Sequence, residues 1–283
     1  MLKIYKMNKI SEFFTLNTSA ESTDWQTVIQ TQQCAYLGRK CIKTRKSESD
    51  IAIGTCTVQY QNKDIIICPH RLLEKHKIFV DCIHLLTLHE PGNELHILPE
   101  ISIPGGSIDY VFASVRNGKV KDFVGIELQT MDTTGTVWPE RQRFLQSKGI
   151  SQTEIAQKPF GMNWKMTAKT ILVQLHHKIQ TFEHLNKHLV LVVQSPLLQY
   201  MQKEFAFDHI SPNPKIGDAM HFHAYELAQN SNKTYSISLS ERFSTDAAGI
   251  SKCLGLQAEA NVDLAQILVV LERKISDSTI LKL

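Results

Sequence analysis

The stretch from residue 106 to residue 129, GSIDYVFASVRNGKVKDFVGIELQ, predicts two β-strands joined by a tight turn. Aromatic and β-branched residues are frequent in the segments 107–115 and 120–130, as in buried strands. The Asn117-Gly118 pair between the segments is a strong hairpin signal. We therefore expect an antiparallel hairpin here, and its register decides which side chains share a face.

Acidic residues stand on both strands of this predicted hairpin. Asp109 lies in the first strand, and Glu127 and Gln129 lie in the second. Two adjacent carboxylates repel each other unless a divalent cation neutralises them, and Mg²⁺ prefers carboxylate, water and phosphate oxygens. Near a scissile phosphate such an ion activates water and stabilises the leaving oxygen. The pattern predicts a metal-dependent nuclease, with Glu100 as a third acid and Glu94 as the alternative to it.

The neighbours of the acids and the residue at position 129 both bear on the nuclease hypothesis. Acids at strand ends are often plain surface residues, and the spacing alone is a weak motif, but here the acids are interleaved with Val124, Ile126 and Leu128. Gln129 stands where many nucleases of this type have a lysine. Its amide can orient water or contact a phosphate oxygen, but it carries no positive charge.

The loop length at the turn decides whether the acids can meet. With a two-residue loop at Asn117-Gly118, Asp109 lies opposite Ile126 and Glu127 points to the other face. With a three-residue loop that also includes Lys119, or with an equivalent bulge, Asp109 lies opposite Glu127. The nuclease hypothesis requires the second register.

A set of four cysteines precedes this region. Cys34, Cys41, Cys56 and Cys68 have the spacing C-x₆-C-x₁₄-C-x₁₁-C. Four thiolates can form a closed tetrahedral site for Zn²⁺ or iron, and such a metal can hold together a segment that has few large apolar residues. The alternative is four buried free thiols. No secretory leader is recognised, so disulfides are not expected.

A cluster of basic residues lies between the first and third of these cysteines. Its members are Arg39, Lys40, Lys43, Arg45 and Lys46. The net charge of +3 does not by itself indicate a nucleic-acid-binding protein. Five local cations can contact phosphates, although a solvated surface loop is the simpler interpretation. His221 and His223 would share a strand face and could bind a metal, but ordinary polar positions are preferred for them.

The remaining sequence predicts a mixed sheet flanked by helices, an α/β (α+β) fold. We expect residues 1–33 to be helical with a cap at Thr23-Asp24, and a helix from Pro69. Further predicted elements are a hairpin at 54–60 and 64–67 with a turn at 61–63, a strand at 95–100, a helix at 164–185 after Asn163, a strand at 189–193, a helix at 197–205, strands at 220–227 and 235–239, and a helix at 261–275. The predicted boundary separates a small segment, 1–75, from a larger domain, 76–283. No apolar run is long enough for a membrane span, so the cytoplasm is expected.

Several of these motifs together resemble the NotI-type restriction endonucleases. They are Cys34, Cys41-Ile42-Lys43-Thr44-Arg45-Lys46-Ser47, Ile53-Gly54-Thr55-Cys56, Cys68-Pro69-His70-Arg71, Ser107-Ile108-Asp109-Tyr110 and Glu127-Leu128-Gln129-Thr130-Met131-Asp132-Thr133-Thr134-Gly135. The similarity runs from about residue 30 through the long helix and the strand after it. The combination is far more specific than either the acidic motif or the cysteine motif alone.

The resemblance implies a PD-(D/E)xK nuclease core and site-specific cleavage of double-stranded DNA by a homodimer. It implies that Asp109, Glu127 and Gln129 form the catalytic set with Mg²⁺, that Glu100 assists, and that the four cysteines hold iron. A cognate DNA methyltransferase is expected as a partner. This chain departs from the family pattern in having Ile108 before the first acid. A nuclease that has lost its activity and only binds DNA is the alternative.

Overall fold

A computed structural model of the protein describes residues 9–151, 154–256 and 269. The strands are β1 (Ile10–Phe13), β2 (Leu16–Asn17), β3 (Gln33–Cys34), β4 (Arg39–Lys40), β5 (Thr44–Arg45), β6 (Glu48–Ala52), β7 (Thr55–Tyr60), β8 (Lys63–Ile66), β9 (Glu94–Ile103), β10 (Gly106–Arg116), β11 (Lys119–Gln129), β12 (Thr133–Thr134), β13 (Gly161–Met162), β14 (His188–Gln194), β15 (Met220–Gln229) and β16 (Tyr235–Thr245). The helices are α1 (Trp25–Thr31), α2 (Lys77–Val80), α3 (Trp138–Ser147), α4 (Trp164–His184), α5 (Ser195–Glu204) and α6 (Ala247–Cys253). Short 3₁₀ helices span Pro69–His76 and Ile83–Leu85.

A mixed six-stranded sheet forms the centre of the molecule, with the order β16-β15-β14-β11-β10-β9. β9, β10 and β11 form an antiparallel meander, β11, β14 and β15 run parallel, and β16 is antiparallel to β15. Apolar residues of α4 and α5 cover one face of the sheet, and those of α2 and its flanking 3₁₀ helices cover the other. The predicted mixed sheet flanked by helices is confirmed.

The long helix α4 packs along β10 and β11 through a stripe of buried side chains. Ile171, Leu175, Ile179 and Phe182 follow one another at helical spacing. Gly125 of β11 allows close approach, because a Cβ atom there would overlap the ring of Phe182. β14 follows directly and is buried along its whole length, as expected for a strand covered on both faces.

A second sheet, with the order β2-β1-β7-β8, packs beside the first. β7 and β8 are joined by Gln61-Asn62, whose positive φ values of 49° and 61° are typical of a two-residue hairpin turn. Lys63, predicted in the turn, instead pairs with Tyr60 and begins β8. Gln194 connects the two sheets, because its amide accepts from the Ile66 N–H at 2.8 Å and donates to the Asp64 carbonyl at 2.7 Å.

The prediction that residues 1–33 are helical is wrong for residues 10–17, which form β1 and β2. β1 pairs with β7, a partner about 45 residues away whose contribution local sequence patterns do not reveal. Left-handed φ values at Phe14 and Thr15 turn the chain into β2. The predicted cap is confirmed, since the Asp24 carboxylate accepts from two N–H groups of the first turn of α1.

The helix predicted from Pro69 is also interrupted. Its path is a 3₁₀ helix, then α2, then a second 3₁₀ helix, with left-handed φ values at Lys75 and His76. The Glu74 carboxylate explains the break, because it bonds Arg71, Lys77 and a backbone N–H of β16 instead of lying on a regular helix surface.

The other predictions concern two helices, the domain boundary and membrane spans. The helix α3 was not predicted, and the helix predicted at 261–275 lies outside the described residues. The boundary at residue 75 stays a prediction, although residues on both sides of it share the same apolar clusters. Over the part of the chain that the structure describes, no helix has the length and apolar character needed to span a bilayer.

Candidate active site and cysteine cluster

The turn of the central hairpin has two residues. Arg116 pairs with Lys119 across Asn117-Gly118, whose φ values of 53° and 69° are both left-handed. The three-residue loop that includes Lys119 is therefore wrong, because Lys119 belongs to β11. Taken alone, this turn would separate the two acids onto opposite faces.

A β-bulge in β11 restores the register that the acids need. Ser114 pairs with Asp122, but the next residue, Val115, pairs with Val120, so Lys121 is an extra residue on β11. One extra residue reverses the side-chain alternation of everything beyond it. The equivalent bulge, which was the other way to satisfy the nuclease hypothesis, is what the structure contains.

The bulge brings Asp109 and Glu127 to facing positions. Tyr110 pairs with Ile126, and the same register extended by one residue sets Asp109 opposite Glu127. The Asp109 carboxylate also accepts the Leu128 N–H at 2.8 Å, which fixes its direction across the strand pair. Asp109 is exposed and Glu127 is buried, so the pair spans the boundary between solvent and core.

Glu127 is a buried acid with one cationic partner. Its carboxylate accepts a hydrogen bond from the Lys178 ammonium of α4 at 2.7 Å. Burial raises the pKa of Glu127 to about 7, the lysine opposes that shift, and the negative charge of Asp109 adds to it. The carboxylates of Asp109 and Glu127 are therefore close enough to interact electrostatically.

Glu100 of β9 lies opposite Asp109 of the neighbouring strand β10. Its neighbours pair with the neighbours of Asp109, and its φ of 53° is left-handed, so β9 is irregular at this point. Burial raises the pKa of Tyr110, and the charges of both Asp109 and Glu100 add to that shift. Glu94 lies at the other end of β9, about 20 Å of strand away, where it pairs with His96. The geometry favours Glu100 as the auxiliary acid.

Gln129 lies on the Glu127 face of β11, and its amide nitrogen is bound to the backbone. Its Nε2 donates to the carbonyl oxygen of the next residue, Thr130, at 2.7 Å. The amide nitrogen is therefore held by local backbone, and the position supplies no cation to the acids.

The four predicted cysteine ligands come together around one cavity. Cys34, Cys41, Cys56 and Cys68 line it with Lys43 and His70. The pKa of the Cys56 thiol is raised by its hydrogen bond with Cys68 and by burial, and that bond lowers the pKa of Cys68. Burial also raises the pKa of Cys34 and Cys41. The arrangement places four soft sulfur donors from separate segments in one place.

The five predicted DNA-binding residues have different surroundings. Burial lowers the pKa of His70, the charges of Lys43 and Arg39 lower it further, and the charge of Asp109 raises it. Arg45 is bound by Glu48 and stacks 4.4 Å from the Trp138 ring centre. Lys46 is exposed, and Lys40 donates to a backbone carbonyl at 3.3 Å.

Metal-ligand geometry is absent from the described ranges 9–151, 154–256 and 269. Within them, no group of three or more His, Cys, Asp and Glu side chains is arranged to hold a metal ion. This applies to His221 and His223, which are buried in β15; His221 Nε2 donates to the Asp218 carbonyl at 2.9 Å and His223 Nδ1 lies 3.8 Å from Cys82 Sγ. Both lie in the interior of the central sheet.

Lys178 was not among the predicted site residues. The prediction of α4 rested on the apolar members of its stripe, and Lys178 lies on that stripe three residues after Leu175 and four before Phe182. A lysine at a core position of an amphipathic helix was the available signal, because lysine is rarely buried without a partner.

Comparison with known families identifies the family of this chain. The family model for Restriction endonuclease NotI matches residues 17–235, which is well over half of the chain. This family model defines a class of protein, the type II restriction endonucleases, which are hydrolases that cut double-stranded DNA. The chain belongs to the NotI restriction endonuclease family. No curated protein matches the chain.

The family match does not favour the alternative of a non-catalytic DNA-binding protein. It covers the hairpin that carries both acids and the whole cysteine region.

Proposed function

We propose that this enzyme hydrolyses phosphodiester bonds of double-stranded DNA at a specific sequence, with Mg²⁺ held by Asp109 and Glu127 in a PD-(D/E)xK nuclease core. The observation that carries the proposal is the bulge at Lys121, which turns a two-residue hairpin into one with two facing acids. A bulge beside an active site is a common way to aim a side chain.

The donor chemistry of the site fits Mg²⁺. Asp109 and Glu127 supply carboxylate oxygens, burial and then repulsion by Asp109 raise the pKa of Glu127, and Glu100 lies on the neighbouring strand. A bound cation would supply Lewis-acid stabilisation of a phosphate and an acidified water.

Two groups of the protein hold the carboxylates in place for that cation. The Leu128 N–H fixes one oxygen of Asp109 and Lys178 fixes one oxygen of Glu127, so both carboxylates are preorganised before DNA binds. Glu100 is available at the exposed edge to accept a hydrogen bond from water. Gln129 acts from the same strand face as Glu127, where its carbonyl oxygen can orient water.

We propose a structural iron or zinc ion for the four cysteines. Support comes from the cavity that they share and from the low pKa of Cys68, which favours a thiolate ligand at that position. The thiols must draw together around the metal. Elemental analysis of the purified protein is the test: about one metal per chain is expected, and its loss in Cys56→Ser is expected because three sulfurs leave the tetrahedral site open.

The basic residues of this cysteine segment are proposed to bind DNA phosphates. Arg39 and Lys43 have the strongest support, because their charges act on the same histidine as the charge of Asp109. Cleavage of both strands further suggests a homodimer, whose two sites would face the two strands. A cognate DNA methyltransferase that protects the host sequence and a cytoplasmic location complete the proposal.

The test of this function is cleavage of DNA of known sequence with and without Mg²⁺. Discrete fragments are expected for the native protein with Mg²⁺. Asp109→Asn should slow cleavage by about a thousandfold, corresponding to about 4 kcal/mol of lost transition-state stabilisation. Asp208→Asn is the matched control, because Asp208 is an exposed carboxylate outside the hairpin. Equal cleavage by Asp109→Asn and the native protein would exclude the proposed site.

A further inference from the structure

We propose that Lys178 of α4 is a catalytic residue that supplies the positive charge which Gln129 does not supply from the strand. The inference rests on the proposed nuclease function. It assigns a role in DNA cleavage to a helix residue that lies 49 positions beyond the motif in the chain.

The position of Lys178 is unusual for a lysine. It lies on the buried stripe of α4 between Leu175 and Phe182, and 6% of its surface is exposed. Its ammonium group is 2.7 Å from Glu127 Oε1. Burying a lysine beside one acid gives little net stability, since an apolar residue of similar volume often serves as well. A charge kept at such a position indicates a use other than packing.

The fold holds Lys178 close to the hairpin. The turn between β9 and β10 passes against α4 at Gly105, where a Cβ atom would overlap the carbonyl oxygen of His177. A Cβ atom on Gly106 would lie 3.2 Å from Lys178 Cε. Thr181 donates its hydroxyl to the Pro104 carbonyl at 3.2 Å. These contacts place the lysine stem under the first residues of β10, three positions before Asp109.

The charged groups around Asp109 and Glu127 are consistent with Lys178 as the cation of the site. The Gln129 amide nitrogen is bound to the Thr130 carbonyl, and within the described part of the chain Lys178 is the cation that forms an ion pair with the Asp109–Glu127 pair, through Glu127. The ammonium has three N–H donors, of which Glu127 uses one. The other two can donate to the attacking water or to a non-bridging phosphate oxygen, where negative charge develops in the transition state.

The experiment compares Lys178→Met, the double variant Gln129→Lys with Lys178→Met, and Lys169→Met as the control. Lys169 lies on the exposed face of the same helix. Three quantities are measured for each protein: the single-turnover cleavage rate with Mg²⁺, the DNA affinity with Ca²⁺, and the affinity of the DNA-free protein for Mn²⁺.

Lys178→Met should cleave about 10²- to 10³-fold more slowly, which is typical of losing one donor to developing charge. Its DNA affinity should stay within a few-fold of native, about the scatter between neutral substitutions. Its Mn²⁺ affinity should be equal or higher, because Glu127 no longer shares its oxygen. Returning a lysine to the strand with Gln129→Lys should recover about tenfold or more of the rate.

Two outcomes would overturn the inference while the native protein still cleaves with Mg²⁺. One is a Lys178→Met variant that cleaves as fast as Lys169→Met. The other is parallel loss of cleavage, DNA binding, Mn²⁺ binding and folded structure, with no recovery on adding Gln129→Lys, which would mark Lys178 as structural. Failure of the native protein to cleave any DNA would instead contradict the proposed function itself.

Discussion

Two buried glutamates, Glu12 and Glu127, each pair with a buried cation, yet their surroundings differ. Both carboxylate oxygens of Glu12 accept from Arg71 Nε, at 3.0 and 2.8 Å, and one of them also accepts from the Thr57 hydroxyl. Glu127 accepts one bond, from Lys178. Burial raises the pKa of both carboxyl groups, and in each case the cation opposes the shift.

The Glu12 pair is closed to solvent and belongs to a larger network. Arg71 also donates to Glu74 at 2.7 Å, and Glu74 accepts from Lys77 and from the Ile237 N–H. This network connects β1, the 3₁₀ helix at Pro69–His76 and β16, so its polar groups serve to lock three elements together.

The Glu127 pair is open on one side. Its other charged neighbour is a second acid, Asp109, which is exposed to solvent, whereas the acids Glu12 and Glu74 are matched by two cations. Like charges held together cost stability, and such arrangements are concentrated at functional sites. The comparison teaches that burial of an ion pair does not indicate its role, whereas the balance of the charges around it and its access to solvent do.

The largest stability effect is expected for Glu12→Gln. It removes one of the two carboxylates that pair with the buried Arg71, and a guanidinium cannot lose its proton. The free energy of unfolding should fall by about 3–5 kcal/mol, measured by urea denaturation. Glu90→Gln is the control, because its pair with Arg116 is exposed and should contribute less than about 1 kcal/mol. Equal effects of the two variants would contradict the structural role of the network.

A smaller effect on stability is expected for Glu127→Gln. Lysine, unlike arginine, can become neutral when its partner is lost, and the repulsion from Asp109 disappears as well. The free energy of unfolding should fall by about 1–3 kcal/mol, while cleavage is lost. If Glu127→Gln destabilises as strongly as Glu12→Gln, the distinction between the closed and the open pair is wrong.

The buried histidines of β15 extend the comparison to groups that have no acidic partner. Burial lowers the pKa of His221 to about 4 and that of His223 to about 3, and the charge of Arg242 contributes to both shifts. The unfolded chain therefore binds more protons below pH 6.5. Stability is fully present above that pH and is lost as the pH falls toward 4.

The expected slope is about 2 kcal/mol per pH unit for the two histidines together, because each contributes about 1 kcal/mol per unit, somewhat less than the limit of about 1.4 kcal/mol per unit for one site. Urea denaturation between pH 7 and pH 5 measures it, and His223→Gln should reduce it. An unchanged slope in His223→Gln would show that other groups cause the pH dependence.

The sequence predicted the elements that carry the site but not the details that assemble it. The strands β10 and β11, the helix α4 and the strand β14 follow from hydrophobic periodicity and from Asn117-Gly118. The bulge at Lys121 does not, because the turn residues favour a two-residue loop and the extra residue depends on pairing farther along the strands. The partner of β1 is equally non-local. Lys178 was overlooked because a charged residue on an apolar stripe is invisible to a count of apolar positions.

The central claim is that Asp109 and Glu127 share a divalent cation, and a crystal of the protein with DNA and Mn²⁺ tests it most directly. We predict an anomalous difference peak about 2.0–2.6 Å from an oxygen of each carboxylate, and its absence in crystals of Asp109→Asn. A Mn²⁺ peak elsewhere on the DNA, with both carboxylates free of metal, would contradict the account.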